Sequence, residues 1–183
     1  MKKSLILLAA LISMFYYSER AQAAFLLEPY AGMEFNSTAS NDNSDYKISG
    51  TSVGARGGFQ NLGFMFGLDG RRSSWTLKPD SGSDDDWSFT TLGLFVGYDF
   101  PILLRVWGEY VISHNGENDD KVKLTDGSGM IFGIGYKIMP FVSLNFEIAN
   151  LKTTKIESAS GTESDRDQKY NSYLLGISIP LSI

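Results

Sequence analysis

Eight stretches of the chain alternate between apolar side chains and small or polar ones, and this period of two constrains the fold more than any other feature. Successive side chains of a β-strand point to opposite faces, so alternation over about ten residues predicts strands. The predicted strands cover residues 25–35, 48–59, 62–72, 88–99, 102–112, 128–138, 141–151 and 170–182. The chain is therefore expected to be all-β.

Every second residue of these stretches is large, apolar or aromatic, and that face carries no charge between the strand ends. The opposite face combines many glycines with nine charged residues, namely Glu28, Glu34, Arg56, Asp69, Arg71, Arg105, Glu109, Lys137 and Glu147. A soluble barrel would bury its apolar face and carry many Lys, Glu, Ser and Thr outside. Glycines and isolated charges of both signs instead fit the narrow interior of a membrane barrel, whose apolar face meets lipid.

The links between the predicted strands have two lengths. Tight links fall at residues 60–61, 100–101 and 139–140, whereas residues 36–47, 73–87, 113–127 and 152–169 form long links rich in Ser, Asn, Asp and Gly. Three short turns and four long loops predict an eight-stranded antiparallel up-and-down transmembrane β-barrel with both ends of the chain on the short-turn side. In such barrels the short turns are periplasmic and the long loops extracellular.

Residues 1–23 are predicted to be a signal peptide. Lys2 and Lys3 precede an apolar stretch at residues 5–17, which is too short to span a bilayer, and Ala-Gln-Ala at residues 21–23 is a suitable cleavage site. Residues 24–183 would then form one barrel domain. The alternative is an uncleaved membrane anchor, and no later stretch is long and apolar enough for a transmembrane helix.

Composition excludes several kinds of function. The net charge is −5, and residues 1–23 carry +2, which leaves −7 on residues 24–183. An acidic chain of this kind lacks the basic surface that nucleic acid requires. Cysteine is absent and histidine occurs once, which excludes disulfides, thiolate chemistry and multi-histidine metal sites. No cofactor, metal site or nucleic-acid partner is expected.

The nine charged residues of the predicted interior are the main candidate site. Charges removed from water must be paired or hydrogen-bonded, so a network of ion pairs that fills the lumen is the first interpretation. A gate or narrow ion path is the second, and catalysis by a carboxylate pair such as Glu109 with Glu147 is the third. The sequence does not assign the pairings.

His114 is a weaker candidate. It follows Ser113 and precedes the acidic residues Glu117, Asp119 and Asp120, so a nucleophilic site is conceivable. Adjacent residues of a strand point to opposite sides, however, so Ser113 and His114 do not face each other. We expect His114 to be an ordinary surface residue of a loop and expect no catalytic residues.

Residues Asp80, Asp84, Asp85 and Asp86 form an acidic cluster in the second long link. Calcium prefers oxygen ligands, but the spacing of a calcium-binding loop is absent. The cluster is expected to be solvated, with bridging of divalent cations to lipopolysaccharide as a minor alternative.

Three segments carry a family resemblance: Leu-Glu-Pro-Tyr-Ala-Gly at residues 27–32, Gly-Ala-Arg-Gly-Gly-Phe at 54–59 and Gly-Tyr-Asp-Phe-Pro at 97–101. They resemble the small Gram-negative outer-membrane β-barrel family, which includes the OmpA transmembrane domain and OmpX. The resemblance implies a barrel in the outer membrane, in contact with lipid and lipopolysaccharide, and it implies no particular activity.

The sequence as a whole predicts a monomeric, non-enzymatic outer-membrane barrel with a filled lumen. Its role would be structural or would involve a cell-surface partner bound by the loops at residues 36–47, 73–87, 113–127 and 152–169. A narrow channel for ions or small solutes is the alternative, and a lipid-modifying membrane enzyme acting near His114 is the third hypothesis.

Overall fold

The structure is a computed structural model that describes residues 24–41, 44–79 and 83–183. It contains ten strands: β1 (Ala24–Asn41), β2 (Ser44–Asn61), β3 (Phe64–Pro79), β4 (Asp85–Asp99), β5 (Leu104–Asn118), β6 (Lys123–Thr125), β7 (Ser128–Met139), β8 (Val142–Glu157), β9 (Glu163–Ser178) and β10 (Leu181–Ser182). The eight predicted strands are confirmed, and β6 and β10 are short additions. The predicted signal peptide at residues 1–23 lies outside the described residues. No helix within the described ranges is long and apolar enough to cross a membrane.

The eight long strands form a closed antiparallel ring. Neighbours pair in the order β1, β2, β3, β4, β5, β7, β8 and β9, and β9 returns to pair with β1. The short strand β6 pairs with β5 and β8 at one end of the ring, and β10 pairs with β1 at the other. Closure leaves no edge in the ring, so its backbone groups find partners between strands.

Three short links join strands at one end of the barrel, which we call the turn end. They comprise residues 62–63, 100–103 and 140–141, close to the predicted positions. Leu62 and Gly63 have φ angles of 51° and 84°. Positive φ at both central residues is the mark of a type I′ turn, whose twist matches that of the paired strands.

The strands extend much further than predicted toward the opposite end, which we call the loop end. The predicted loops were too long, because β1 ends only at Asn41 and β8 at Glu157. Those loops had been placed at residues 36–47, 73–87, 113–127 and 152–169. Pairing of β3 with β4 continues past Trp75, which lies opposite Trp87. The alternation persists there, but its outward residues are Ser, Thr and Asp rather than apolar, which gave these segments the composition of loops.

Side chains alternate between the interior and the outer surface on every long strand. The predicted apolar face points outward and is exposed, as Phe66, Leu94 and Phe132 illustrate. Nearer the loop end the outward residues become polar, including Thr51, Thr90, Asn150 and Asn171. The outer surface is thus an apolar belt with a polar collar at the loop end.

Candidate functional site in the barrel interior

The interior is filled at three levels. Leu26, Met65 and Phe95 form a small apolar cluster toward the turn end. The middle holds what we call the ion-pair layer, whose members are Glu28, Arg56, Asp69, Arg71, Arg105 and Glu147. The loop end holds an apolar cluster rich in aromatic rings, which we call the aromatic cluster; its members are Trp75, Trp87, Phe89, His114 and Tyr170.

Arg56 lies at the centre of the ion-pair layer and is almost fully buried. Its Nε is 3.0 Å from Asp69 Oδ2, its Nη1 is 3.4 Å from Glu28 Oε1, and its Nη2 donates to Glu147 Oε1. The guanidinium also lies 4.3 Å from the centre of the Trp107 ring. Three carboxylates and an aromatic face therefore compensate one buried cation.

Tyr30 links the second arginine to the same layer. Arg71 Nε donates to Tyr30 Oη at 2.9 Å, and the hydroxyl donates to Asp69 Oδ1 at 2.6 Å. Arg71 Nη2 also donates to Glu147 Oε2, so both oxygens of Glu147 accept from arginines. Charge-assisted hydrogen bonds of this kind are the stronger ones, and here they connect β1, β3 and β8.

Arg105 extends the layer toward the turn end. Its Nη1 lies 2.8 Å from Glu28 Oε1, and its Nη2 lies 3.0 Å from the sulfur of Met65. Glu28 is therefore shared by Arg56 and Arg105, and β1, β2 and β5 meet at its carboxylate.

Two buried acids of the predicted set form no ion pair among the described residues. Glu34 accepts hydrogen bonds from Ser52 at 2.9 Å and from Ser172. Glu109 folds over Gly93, where an added β-carbon would overlap its carboxylate, and its Oε2 has no partner within the described part of the chain. With five buried acids and three buried arginines, the described interior contains more acidic than basic side chains.

Lys137 lies apart from the rest of the predicted set. It is partly exposed at the turn end and forms an ion pair with Asp99 Oδ2, which also accepts from Gln60 Nε2 at 3.3 Å. Asp99 was not among the sequence candidates. Its position at the end of a strand, two residues after Gly97, gave no sign that it faces Lys137 across the mouth of the barrel.

His114 is buried rather than exposed, so the expectation of a surface residue was wrong. Its ring stacks on Phe89 with centroids 4.7 Å apart and planes 5° apart, and it lies within 6 Å of Trp75 and Tyr170. Thr91 Oγ1 is hydrogen-bonded to its Nδ1 at 2.8 Å. The segment belongs to β5 and not to a loop, and a bulge opposite Leu92 places both Ile112 and Ser113 outward, so the next side chain, His114, points inward.

The residues that a nucleophilic site would need do not converge on His114. Ser113 points outward and accepts a hydrogen bond from Asn115, and Glu117 is paired with Lys121 at 3.1 Å. Within the described ranges, no acid forms a hydrogen bond or ion pair with the imidazole. The geometry therefore does not provide a Ser–His–acid arrangement.

The acidic cluster of the second link is exposed. Asp84 lies 3.9 Å from Lys78, and Asp86 accepts from Thr76 at 2.6 Å. Asp80 lies outside the described residues. In the part of the chain that the structure describes, no group of three or more potential ligands could hold a metal ion.

Glycines make room for the large interior side chains. A β-carbon on Gly133 would overlap the indole of Trp107, and one on Gly54 would lie 2.5 Å from the Tyr30 ring. The interior of an eight-stranded barrel is just wide enough for side chains to fill it. The large aromatic side chains therefore fit inside only because the neighbouring strand carries glycine at the position they cover.

No family model and no curated protein matches the chain. Among solved structures, the Neisserial surface protein NspA is similar with 15% identity and a TM-score of 0.55, covering 86% of this chain and 98% of that one. OprG from Pseudomonas aeruginosa (12% identity, TM-score 0.49, 89% and 98% covered) and Ail from Yersinia pestis (13%, 0.49, 87% and 98%) are also matched. The likeness to NspA supports the fold, an eight-stranded barrel.

Proposed function

We propose that this chain is a non-enzymatic β-barrel of a Gram-negative outer membrane. The observation that carries the proposal is the apolar belt on the outside of a closed ring, with charged groups inside. Soluble proteins rarely expose apolar patches larger than a few hundred Å². Here the outward residues Phe66 of β3, Leu94 of β4 and Phe132 and Ile134 of β7 are each more than 40% exposed. Lipid is the solvent that suits this surface.

The borders of the belt support an orientation. Tyr98 and Tyr136 point outward near the turn end, and Tyr110 and Tyr173 do so near the border between the belt and the collar, as the aromatic girdles of membrane barrels do. The turn end would then face the periplasm and the loop end the outside. This proposal includes residues 1–23 as a cleaved signal peptide and residues 24–183 as the mature barrel.

The interior supports a structural role. The ion-pair layer connects β1, β2, β3, β5 and β8 across the ring, and apolar clusters lie above and below it. A lumen filled in this way would hold the barrel closed. The barrel would then contact lipopolysaccharide at the collar and a cell-surface partner at the loop end. The barrel would act as a monomer.

A narrow cation path is the second candidate, and the unpaired buried acids favour it over other transport functions. Glu34 and Glu109 give the interior more acids than bases, which would select cations if water reached them. An enzymatic role is disfavoured, because His114 is buried among aromatic rings and its Ser113 neighbour points away.

Two outward substitutions test the membrane location. An arginine at Ile134 lies within the apolar belt, and an arginine at Ser49 lies in the polar collar. A charge on the lipid face near the midplane costs about 2–4 kcal/mol and much less near an interface. After expression of the full chain, wild type and Ser49→Arg should be found in the outer-membrane fraction, with a gel mobility that changes on boiling. Ile134→Arg should lower the amount of folded protein severalfold. Equal behaviour of the two variants, or a water-soluble wild type, would contradict the proposal.

A further inference from the structure

Two lysines lie directly opposite each other on the outer wall near the loop end. Lys152 of β8 and Lys169 of β9 are register partners, and both side chains are exposed. Opposed residues of an antiparallel pair have β-carbons about 5 Å apart, and like charges in this position repel. An anion that lies between the two ammonium groups would relieve this repulsion.

Neither lysine has an acidic partner among the described residues. Other lysines of the collar do: Lys78 with Asp84, Lys121 with Glu117, Lys123 with Glu157 and Lys155 with Asp126. The collar thus neutralises these four lysines with neighbouring carboxylates, whereas exposed Lys47 also forms no ion pair among the described residues. At the Lys152–Lys169 pair the described part of the chain supplies no carboxylate within 4 Å of either ammonium.

Hydroxyl groups continue the row on both sides. Ser128 of β7 lies opposite Lys152, and Ser40 of β1 lies opposite Lys169. Alternation places both serines on the outward side, since Ala39 and Ile131 are buried. Four neighbouring strands therefore present hydroxyl, ammonium, ammonium and hydroxyl groups in one line.

The height of this row on the barrel identifies the kind of anion. The next outward row toward the turn end contains Asn150 and Asn171, and the one after it contains Ile148 and Tyr173 of the apolar belt. Outward rows are about 7 Å apart along a strand, and lysine side chains reach several ångströms along the wall. The ammonium groups therefore reach the level where an apolar bilayer core gives way to headgroups.

From this placement we propose that Lys152 and Lys169, with Ser40 and Ser128, bind a phosphate monoester on a glycolipid headgroup of the outer leaflet. The inference rests on the proposed function, since it requires the belt to lie in the outer membrane. Two ammonium groups match the charge of one phosphate monoester, and charge-assisted hydrogen bonds to its oxygens would replace the repulsion with attraction.

The test uses protein expressed as the full chain and purified in detergent from outer membranes. The probe is lipid A carrying both phosphates, titrated in mixed micelles and followed by native mass spectrometry. The Lys152→Gln/Lys169→Gln variant should bind about tenfold more weakly than wild type. The matched control is Lys121→Gln/Lys123→Gln, which loses the same charge from paired lysines and should stay within about twofold of wild type. Lipid A with its phosphates removed should bind wild type as weakly as the first variant.

Each contrary outcome has a distinct meaning. If both double variants bound lipid A equally weakly, the loss would follow from net charge rather than from this site, and the inference would be overturned. Saturation by micromolar inorganic phosphate alone would place a soluble anion in the site, which also contradicts a lipid headgroup. Loss of binding counts only if the variant keeps the boiling-dependent mobility of wild type. A wild type that is absent from the outer membrane would instead overturn the proposed function.

Discussion

Arg56 of β2 and Glu147 of β8 form an ion pair across the interior, although their strands are separated in the ring by β1 and β9. The pair spans 91 residues of sequence, and neither side chain is accessible to solvent. It connects parts of the barrel wall that share no backbone hydrogen bonds. The stability of the barrel should therefore depend on this pair more than on any ion pair of the collar.

Replacing Arg56 with methionine should destabilise the barrel by about 3–5 kcal/mol, because three buried carboxylates lose their shared cation. The change can be measured by urea unfolding in lipid vesicles, followed by tryptophan fluorescence. Lys123→Met is the matched control, since it removes a cation from an exposed pair with Glu157 and should cost no more than about 1 kcal/mol. Equal costs would show that the ion-pair layer is not structural.

Two glutamates provide a comparison with identical chemistry. Glu147→Gln should cost about 3–5 kcal/mol because both its oxygens accept from arginines. Glu109→Gln replaces a buried carboxyl group that has no ion-pair partner among the described residues, so we expect a change within about 1 kcal/mol or a gain in stability. The same urea titration measures both. A larger loss for Glu109→Gln would mean that its carboxylate is paired in a way that the geometry does not show.

The fit between glycine and tryptophan is testable with single methyl groups. Gly133→Ala would push a β-carbon into the indole of Trp107 and should destabilise by about 1–3 kcal/mol. Gly70→Ala places a β-carbon in open space on the outer wall and should change stability by no more than about 0.5 kcal/mol. The urea midpoints of unfolding measure both changes. A midpoint of Gly133→Ala equal to that of wild type would indicate a loosely packed interior.

Much of this barrel follows from the sequence because alternation determines which side chains face inward, except beyond bulges such as those in β1 and β5. All of the nine predicted interior charges except Lys137 are buried, and the outward apolar residues are exposed. The pairings did not follow, because they depend on the stagger between strands such as β2 and β8 that never touch. The hydroxyl link that Tyr30 forms between Arg71 and Asp69 did not follow from the sequence either.

The aromatic cluster was missed for a different reason. Trp75, Leu77 and Trp87 alternate with polar residues, which is a strand pattern, but the Ser- and Asp-rich composition led to a loop interpretation of residues 73–87. Where a barrel strand extends beyond the membrane, its outward side chains face water and are therefore polar. The apolar half of the pattern was the signal that could have extended the strands, but the inward direction of His114 depends on a bulge that alternation does not reveal.

The role of His114 can be separated from its packing. His114→Ala should destabilise by about 2–4 kcal/mol because it leaves a cavity against Phe89, Trp75 and Tyr170. His114→Phe keeps the stacking and loses only the bond to Thr91, so we expect a cost near 1 kcal/mol. Urea unfolding gives both values. A catalytic role would be indicated if His114→Phe folded normally yet abolished hydrolysis of a lipid or peptide substrate by wild type.

Conductance across a planar bilayer tests the filled interior most directly. Protein purified from outer membranes after expression of the full chain, with its boiling-dependent mobility intact, should insert without producing discrete current steps, because side chains occupy the lumen at three levels. Stable, cation-selective steps that diminish in Glu109→Gln would contradict this account and would make the barrel a channel.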